Sequence, residues 1–139
     1  MAEHEDFLNA NLEEGKEAVY FTISSDMSST YNNACIAASE LENVYVIDTK
    51  NLSTGGGLLV VAAAEMLNEG LSADEIVKKV TELVPCVDAS FVIDSLEYLH
   101  KGGRCSAVAM LGANLLKLKP CIEEKKRKMS SKQKRDYQS

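Results

Sequence analysis

Five serine and threonine hydroxyls and one carboxylate crowd into Ile23-Ser24-Ser25-Asp26-Met27-Ser28-Ser29-Thr30-Tyr31. Such a cluster has three chemistries open to it. Its hydroxyls can donate to a carboxylate or phosphate, helped by the free N–H groups and positive dipole of a helix that starts there. Alternatively Ser25, Asp26 and Ser28 cap that helix, each worth about 1 kcal/mol. A serine nucleophile is the third, with His100 as its base. The G-x-S-x-G elbow is absent, and His100 precedes a glycine stop where a surface helix position accounts for it.

The flanks place the cluster on a strand-to-helix turn. Ala18-Val19-Tyr20-Phe21-Thr22-Ile23 is a short apolar run rich in β-branched and aromatic residues, the pattern of a buried strand. From Ser28 onward Tyr31, Ala34, Cys35, Ala38 and Leu41 recur at spacings of three and four, predicting a helix over 28–42. Val44-Tyr45-Val46-Ile47-Asp48-Thr49 is a second strand of the buried type. Strand, helix and strand within about thirty residues make a βαβ unit with a parallel sheet and a right-handed crossover. Ligands of open α/β sheets bind at the carboxyl ends of the strands, where this turn lies.

The rest reads as scaffold with two further points of interest. Phe7, Leu8 and Leu12 mark a weak amphipathic helix over 5–14, closed by Gly15. Gly55-Gly56-Gly57 follows the second strand and precedes Leu58 to Leu67, apolar on nearly every face and therefore expected to be buried. No nucleotide-binding glycine pattern is present, so close backbone approach is the simpler role for the three glycines. Ser72-Ala73-Asp74-Glu75 is a capping box for a helix that turns Ile76, Val77, Val80, Leu83 and Val84 inward. Beyond the break at Pro85, residues 89–93 read as a strand, 95–101 as a short helix, and 107–116 as an apolar helix. Arg104, after Gly102-Gly103, is placed either for a fork-like grip on an anion or acidic partner or as a plain surface arginine.

Composition bounds the class. With 139 residues and 45% apolar content, the chain suits one ordinary soluble domain. It has no apolar run long enough to span a membrane, and its acidic beginning is unlike a secretory leader, so a cytoplasmic protein without an integral membrane segment is expected. Cys35, Cys86, Cys105 and Cys121 form no C-x-x-C pair; Cys35 and Cys86, in apolar surroundings, are expected as buried thiols rather than zinc ligands. The net charge of −6 hides an asymmetry, because residues 125–139 carry seven Lys/Arg and one acid, Asp136. That tail reads as solvated and disordered, and no nucleic-acid partner is expected. An interaction module working through it is the alternative.

Four motifs in order resemble one family. Residues 23–31 are similar to the I-S-S-x-L-S-G-T-Y signature of the DegV family of bacterial fatty-acid-binding proteins. Val46-Ile47-Asp48-Thr49 with Gly57-Leu58-Leu59-Val60 resembles its V-x-D-[ST]…G-x-L-V segment. Asp94-Ser95-Leu96-Glu97-Tyr98-Leu99-His100-Lys101-Gly102-Gly103-Arg104 resembles [DT]-L-E-Y-L-x-K-G-G-R-I, and Leu115-Leu116-Lys117-Leu118-Lys119-Pro120 resembles L-L-x-I-K-P. The resemblance implies a Rossmann-like parallel sheet in a partial first α/β domain, residues 5–85, and the start of a second α/β domain, residues 86–124, before the tail at 125–139.

The resemblance also implies a function. The chain would be a lipid-binding subunit and not an enzyme, with no catalytic residue, metal or cofactor. It would hold the carboxylate of a long-chain fatty acid through Ser28, with Ser25, Ser29 and Thr30 beside it, and present the lipid to a separate fatty acid kinase. Arg104 would touch ligand or partner. Ser29 stands where the family has glycine, and the segment carrying a partner threonine is missing. The expectation is therefore a fragment or truncated relative that binds poorly alone and is prone to associate through exposed core. A serine-nucleophile hydrolase remains the other class of function.

Overall fold

A computed structural model describes residues 2–104, 106, 119, 121–123 and 130–132. The chain divides into two units, residues 1–87 and 88–139. The expected apolar helix at 107–116 lies outside the described residues.

In the first unit, helix α1 (Ala2–Asn11) leads to strand β1 (Ala18–Thr22), helix α2 (Thr30–Ala38) and strand β2 (Val44–Asp48). Helices α3 (Ser53–Asn68) and α4 (Ala73–Leu83) follow, then a 3-10 turn at Val84–Cys86. β1 and β2 pair in parallel, Ala18 opposite Val44 through Thr22 opposite Asp48. Antiparallel neighbours need only a hairpin, whereas parallel ones need a crossover, and α2 supplies it.

The period of two in the strands sorts their side chains to opposite faces. Val19, Phe21 and Ile47 pack with Leu59, Ala63, Ile76 and Val80 of α3 and α4. Tyr20, Val44 and Val46 pack with Leu8 of α1 and with Ala37 and Ala38 of α2. The sheet is thus covered by helices on both faces, as strands apolar on both sides require. On the α1 face Phe7 stacks on Tyr20 at 5.6 Å between centroids, and His4 Nδ1 lies 2.9 Å from the Tyr20 hydroxyl.

Several elements depart from expectation for local reasons. α2 stops at Ala38 instead of 42: the Leu41 amide donates to Ala38 O at 3.0 Å, an i to i−3 turn, and the Ser39 hydroxyl donates to Ile36 O at 2.7 Å. α1 ends at Asn11, and Gly15, at φ 74°, belongs to the turn beyond it. The glycines form no loop: α3 begins at Ser53 and takes all three into its first turns. A Cβ on Gly56 would sit 3.6 Å from Thr49 Oγ1, ordinary contact distance, so side-chain exclusion is not what requires glycine there. Nor is α3 buried all round, since Leu58, Val61 and Leu67 are 62%, 56% and 64% exposed. Only the side of α3 that carries Leu59 and Ala63 meets the sheet and α4.

α4 follows its sequence signals. The Ser72 hydroxyl accepts from Glu75 N, and the Glu75 carboxylate accepts from Ser72 N at 3.0 Å, the reciprocal pair of a capping box. Ile76 and Val80 are buried. Cys86 is exposed, and Cys35 and Cys121 are only partly covered, so no described thiol is buried as expected. Cys86 sits on the 3-10 turn, whose short helical arc turns it to solvent instead of into the core.

In the second unit β3 (Ser90–Val92) pairs antiparallel with β4 (Cys121–Glu123), which pairs antiparallel with β5 (Ser130–Lys132). Helix α5 (Glu97–Lys101) lies between β3 and β4 in the chain. β5 falls within the segment read from the sequence as the basic tail, and its backbone forms the outer strand of this sheet.

Candidate functional site

The serine turn begins where β1 ends, at the carboxyl end of the sheet. Ser24 is 1% exposed, its amide donates to Asn51 O at 3.0 Å, and its carbonyl accepts from the amides of Met27 and Ser28. The turn is therefore anchored at its start and curls back on that anchor. Asp26 N donates to Ser24 Oγ at 3.3 Å.

The hydroxyls divide by role. Ser28, half-buried, accepts from Thr30 N at 3.2 Å, and its Oγ lies 2.7 Å from Thr30 Oγ1. Ser28 thus holds one helix N–H, but the N-cap residue is Ser29, whose exposed side chain makes no cap bond. Capping consequently accounts for one hydroxyl of the cluster and not for Ser25, Asp26 or Ser29. Ser25 is used otherwise: its amide donates to Asp48 Oδ1 at 3.1 Å and its Oγ accepts from Lys50 Nζ at 2.6 Å.

Asp48, the last residue of β2, and Lys50 just after it organise the turn. Asp48 Oδ1 also accepts from Lys50 N at 3.0 Å, an Asx turn, while Lys50 Nζ lies 3.0 Å from Asp48 Oδ2 and 3.8 Å from Asp26 Oδ2. Burial would raise the Asp48 carboxyl, but hydrogen bonds from Ser25 and Lys50 outweigh it and hold the group below the ordinary carboxylate range. The bond to Asp48 in turn lifts the Lys50 ammonium above the usual lysine range, against the pull of desolvation. A readable signal existed: polar residues at the carboxyl end of the second parallel strand must lie beside the turn that follows the first.

Behind this pair the β2–α3 loop is pinned through Thr49, which is 2% exposed. Its hydroxyl lies 2.8 Å from Thr22 O and 3.1 Å from Asn51 O, and accepts from Asn51 N at 3.2 Å. The Asn51 amide group donates to Thr49 O and Val87 O, and its buried Oδ1 has no hydrogen-bond partner among the described residues. Lys50 and Ser53, on either side, take left-handed φ of 49° and 46°.

A cleft of about 160 Å³ opens here, with Phe21, Ile23, Leu52 and Val60 as apolar lining and Thr22, Thr49, Asn51 and Ser53 as polar lining. Ser25, Ser28, Ser29 and Thr30 are not among its lining residues. Arg104 lies in the second unit, exposed, with Nη1 donating to its neighbour Gly102 O. The hydrolase reading finds no support at Ser28, whose hydroxyl is bonded to Thr30 and to no histidine among the described residues. No group of three His, Cys, Asp or Glu among the described residues could hold a metal ion, and no described helix is long and apolar enough to cross a membrane.

Comparison with known proteins gives this geometry a context. Residues 1–138 match the family described as "Uncharacterised protein, DegV family". A DegV domain-containing protein of Clostridium acetobutylicum is 40% identical over 88% of the chain, which spans 45% of that relative. Among solved structures, a DegV lipid-binding protein from Thermotoga maritima superposes with a TM-score of 0.81 at 30% identity, covering 95% of this chain and 46% of its own. A stearic-acid-binding protein from Eubacterium ventriosum gives a TM-score of 0.81 at 30% identity, with 95% and 47% covered. The chain thus spans about half the length of the relatives it matches.

Proposed function

The chain belongs to the DegV family, and from that premise we propose that it carries the headgroup half of a fatty-acid site, with Ser28 donating to the carboxylate of a long-chain acid. Ser25 shapes the turn, while Ser29 and Thr30 stand beside the carboxylate. The observation that carries this reading is the serine turn itself: a hydroxyl cluster at the carboxyl end of a parallel sheet, continuous through Ile23 with a cleft of mixed apolar and polar lining, in a fold shared with proteins named for the lipid or fatty acid they bind.

Size decides what the chain can do alone. The cleft of about 160 Å³ is well under the roughly 300 Å³ at which ligand pockets usually begin, so it cannot enclose a long acyl chain by itself. Tight binding requires further walls from polypeptide of the length the relatives have. In the whole protein the lipid would be presented to a separate kinase acting on its carboxylate, in the cytoplasm, with Arg104 facing ligand or partner. No chemistry is assigned to the chain itself.

The test is a chimera in which this chain replaces the matching part of the Thermotoga maritima relative. Purified from bacteria and extracted with organic solvent, it should yield fatty acid by mass spectrometry, and Ser28→Ala should lower the occupancy. A chimera that folds but stays empty, or equal occupancy in Ser28→Ala, would sink the proposal.

A further inference from the structure

We propose that Lys50 is a positioning residue for the serine turn, acting through Ser25 as a latch between the two loops at the carboxyl end of the sheet. Ser25 and Lys50 follow different strands and are separated by 25 residues, yet the ammonium lies 2.6 Å from Ser25 Oγ and 3.0 Å from Asp48 Oδ2. Asp48 completes the link by accepting the amides of both Ser25 and Lys50 on one oxygen.

The rest of the turn depends on that link. Ties from the turn to the β2–α3 segment include Ser24 N to Asn51 O, the Ser25 contacts with Asp48 and Lys50, and the Lys50–Asp26 pair at 3.8 Å; Ser28 bonds to Ser24 and Thr30. Ser25 lies in the chain between the Ser24 anchor and Ser28, so the latch adds a second hold on where Ser28 stands. Direct contact between Lys50 and an anion is the weaker reading. Asp48 at 3.0 Å and Asp26 at 3.8 Å already match its charge, leaving the three side chains net negative. What the ammonium supplies is direction: by donating to Ser25 Oγ it takes one of that oxygen's two acceptor positions and orients the side chain toward the β2–α3 segment.

The latch stands on the contacts alone, and its effect on lipid rests on the fatty-acid reading. The test uses the full 139-residue chain and amide hydrogen exchange, with the Val80 amide in α4 as an internal reference. Lys50→Met should speed exchange at Ser25 and Ser28 by about three- to tenfold, the range for losing one charged hydrogen bond at a partly exposed site, with Val80 unchanged. Lys50→Arg, which keeps a cation able to bond Asp48 and Ser25, should restore protection. Ser25→Ala, which leaves the Asp48–Lys50 pair intact, should loosen Ser28 as Lys50→Met does. Unchanged exchange at Ser28 in both Lys50→Met and Ser25→Ala overturns the proposal, as does loss of protection at Val80 by the same factor as at Ser28. Fatty-acid occupancy of the chimera is measured separately: an empty chimera removes the lipid reading, while the exchange pattern still decides the latch.

Discussion

At the scale of single residues the site is held by hydroxyls that accept and donate at once. Thr49 is the most constrained: its buried Oγ1 joins β1, β2 and the following loop through Thr22 O, Asn51 O and Asn51 N. Thr49→Val keeps the shape but strands those groups, and is expected to cost roughly 1–3 kcal/mol by chemical denaturation. A cost below a few tenths would mean that water replaces the hydroxyl freely. Ser28→Ala belongs at the other extreme. It removes a half-exposed bond to Thr30, so stability should fall by no more than about 1 kcal/mol, and the main loss should appear in bound lipid. These two hydroxyls look alike in the sequence. Their difference arises because Thr49 points into the joint between two strands, a fact set by register and not by residue type.

At the scale of elements, the best-specified helix is α4, where Ser72 and Glu75 satisfy each other across three residues. Ser72→Ala should lower stability by about 1 kcal/mol, read as a fall in Tm, and Ser72→Asp should recover most of it. Everything that makes α4 readable is local. The latch between β1–α2 and β2–α3 is the opposite case, since Asp48 meets Ser25 only after α2 has brought the two strands side by side. The start of α3 is hidden in the sequence for a related reason: three glycines argue against helix by about 1 kcal/mol each, and packing of Gly55 and Leu59 into the unit overrides that preference. The latch also makes a pH prediction. Asp48 titrates below its unfolded value of 3.8, so its contribution is fully present above that value and is lost as pH falls through the lower folded pKa. The groups facing it are Ser25, Lys50 and Tyr31, and neither the ammonium nor the phenol changes charge in that window; Asp26, which pairs with Lys50, is common to both proteins and drops out of the comparison. Asp48→Asn should therefore be less stable at neutral pH and lose less on acidification, as acid titrations followed by circular dichroism would show. Parallel acid limbs for the two proteins would count against the pair.

At the scale of the whole chain the unsatisfied feature is α3. A helix apolar on nearly every face is built for neighbours on more than one side, and its outer residues Leu58, Val61 and Leu67 remain more than half exposed. Ile23, Val60 and Ile36 add to the apolar surface of the same unit. Isolated apolar residues on a surface mean little, but Leu58 and Val61 on one flank of α3 and Leu67 on the other leave apolar surface on both sides of its buried stripe. The expected behaviour of the isolated chain is self-association that grows with protein concentration, seen by light scattering coupled to size exclusion. Converting Leu58 and Leu67 to Lys and Val61 to Glu should restore the monomer without lowering Tm, because none of the three belongs to the buried cluster of Leu59, Ala63, Ile76 and Val80. A wild-type chain that stays monomeric at high concentration would show that this face is tolerated by water, and the need for a covering element would fall with it. If the charged variant is monomeric but the matching chimera no longer folds, the same face is the seam on which the rest of the molecule packs.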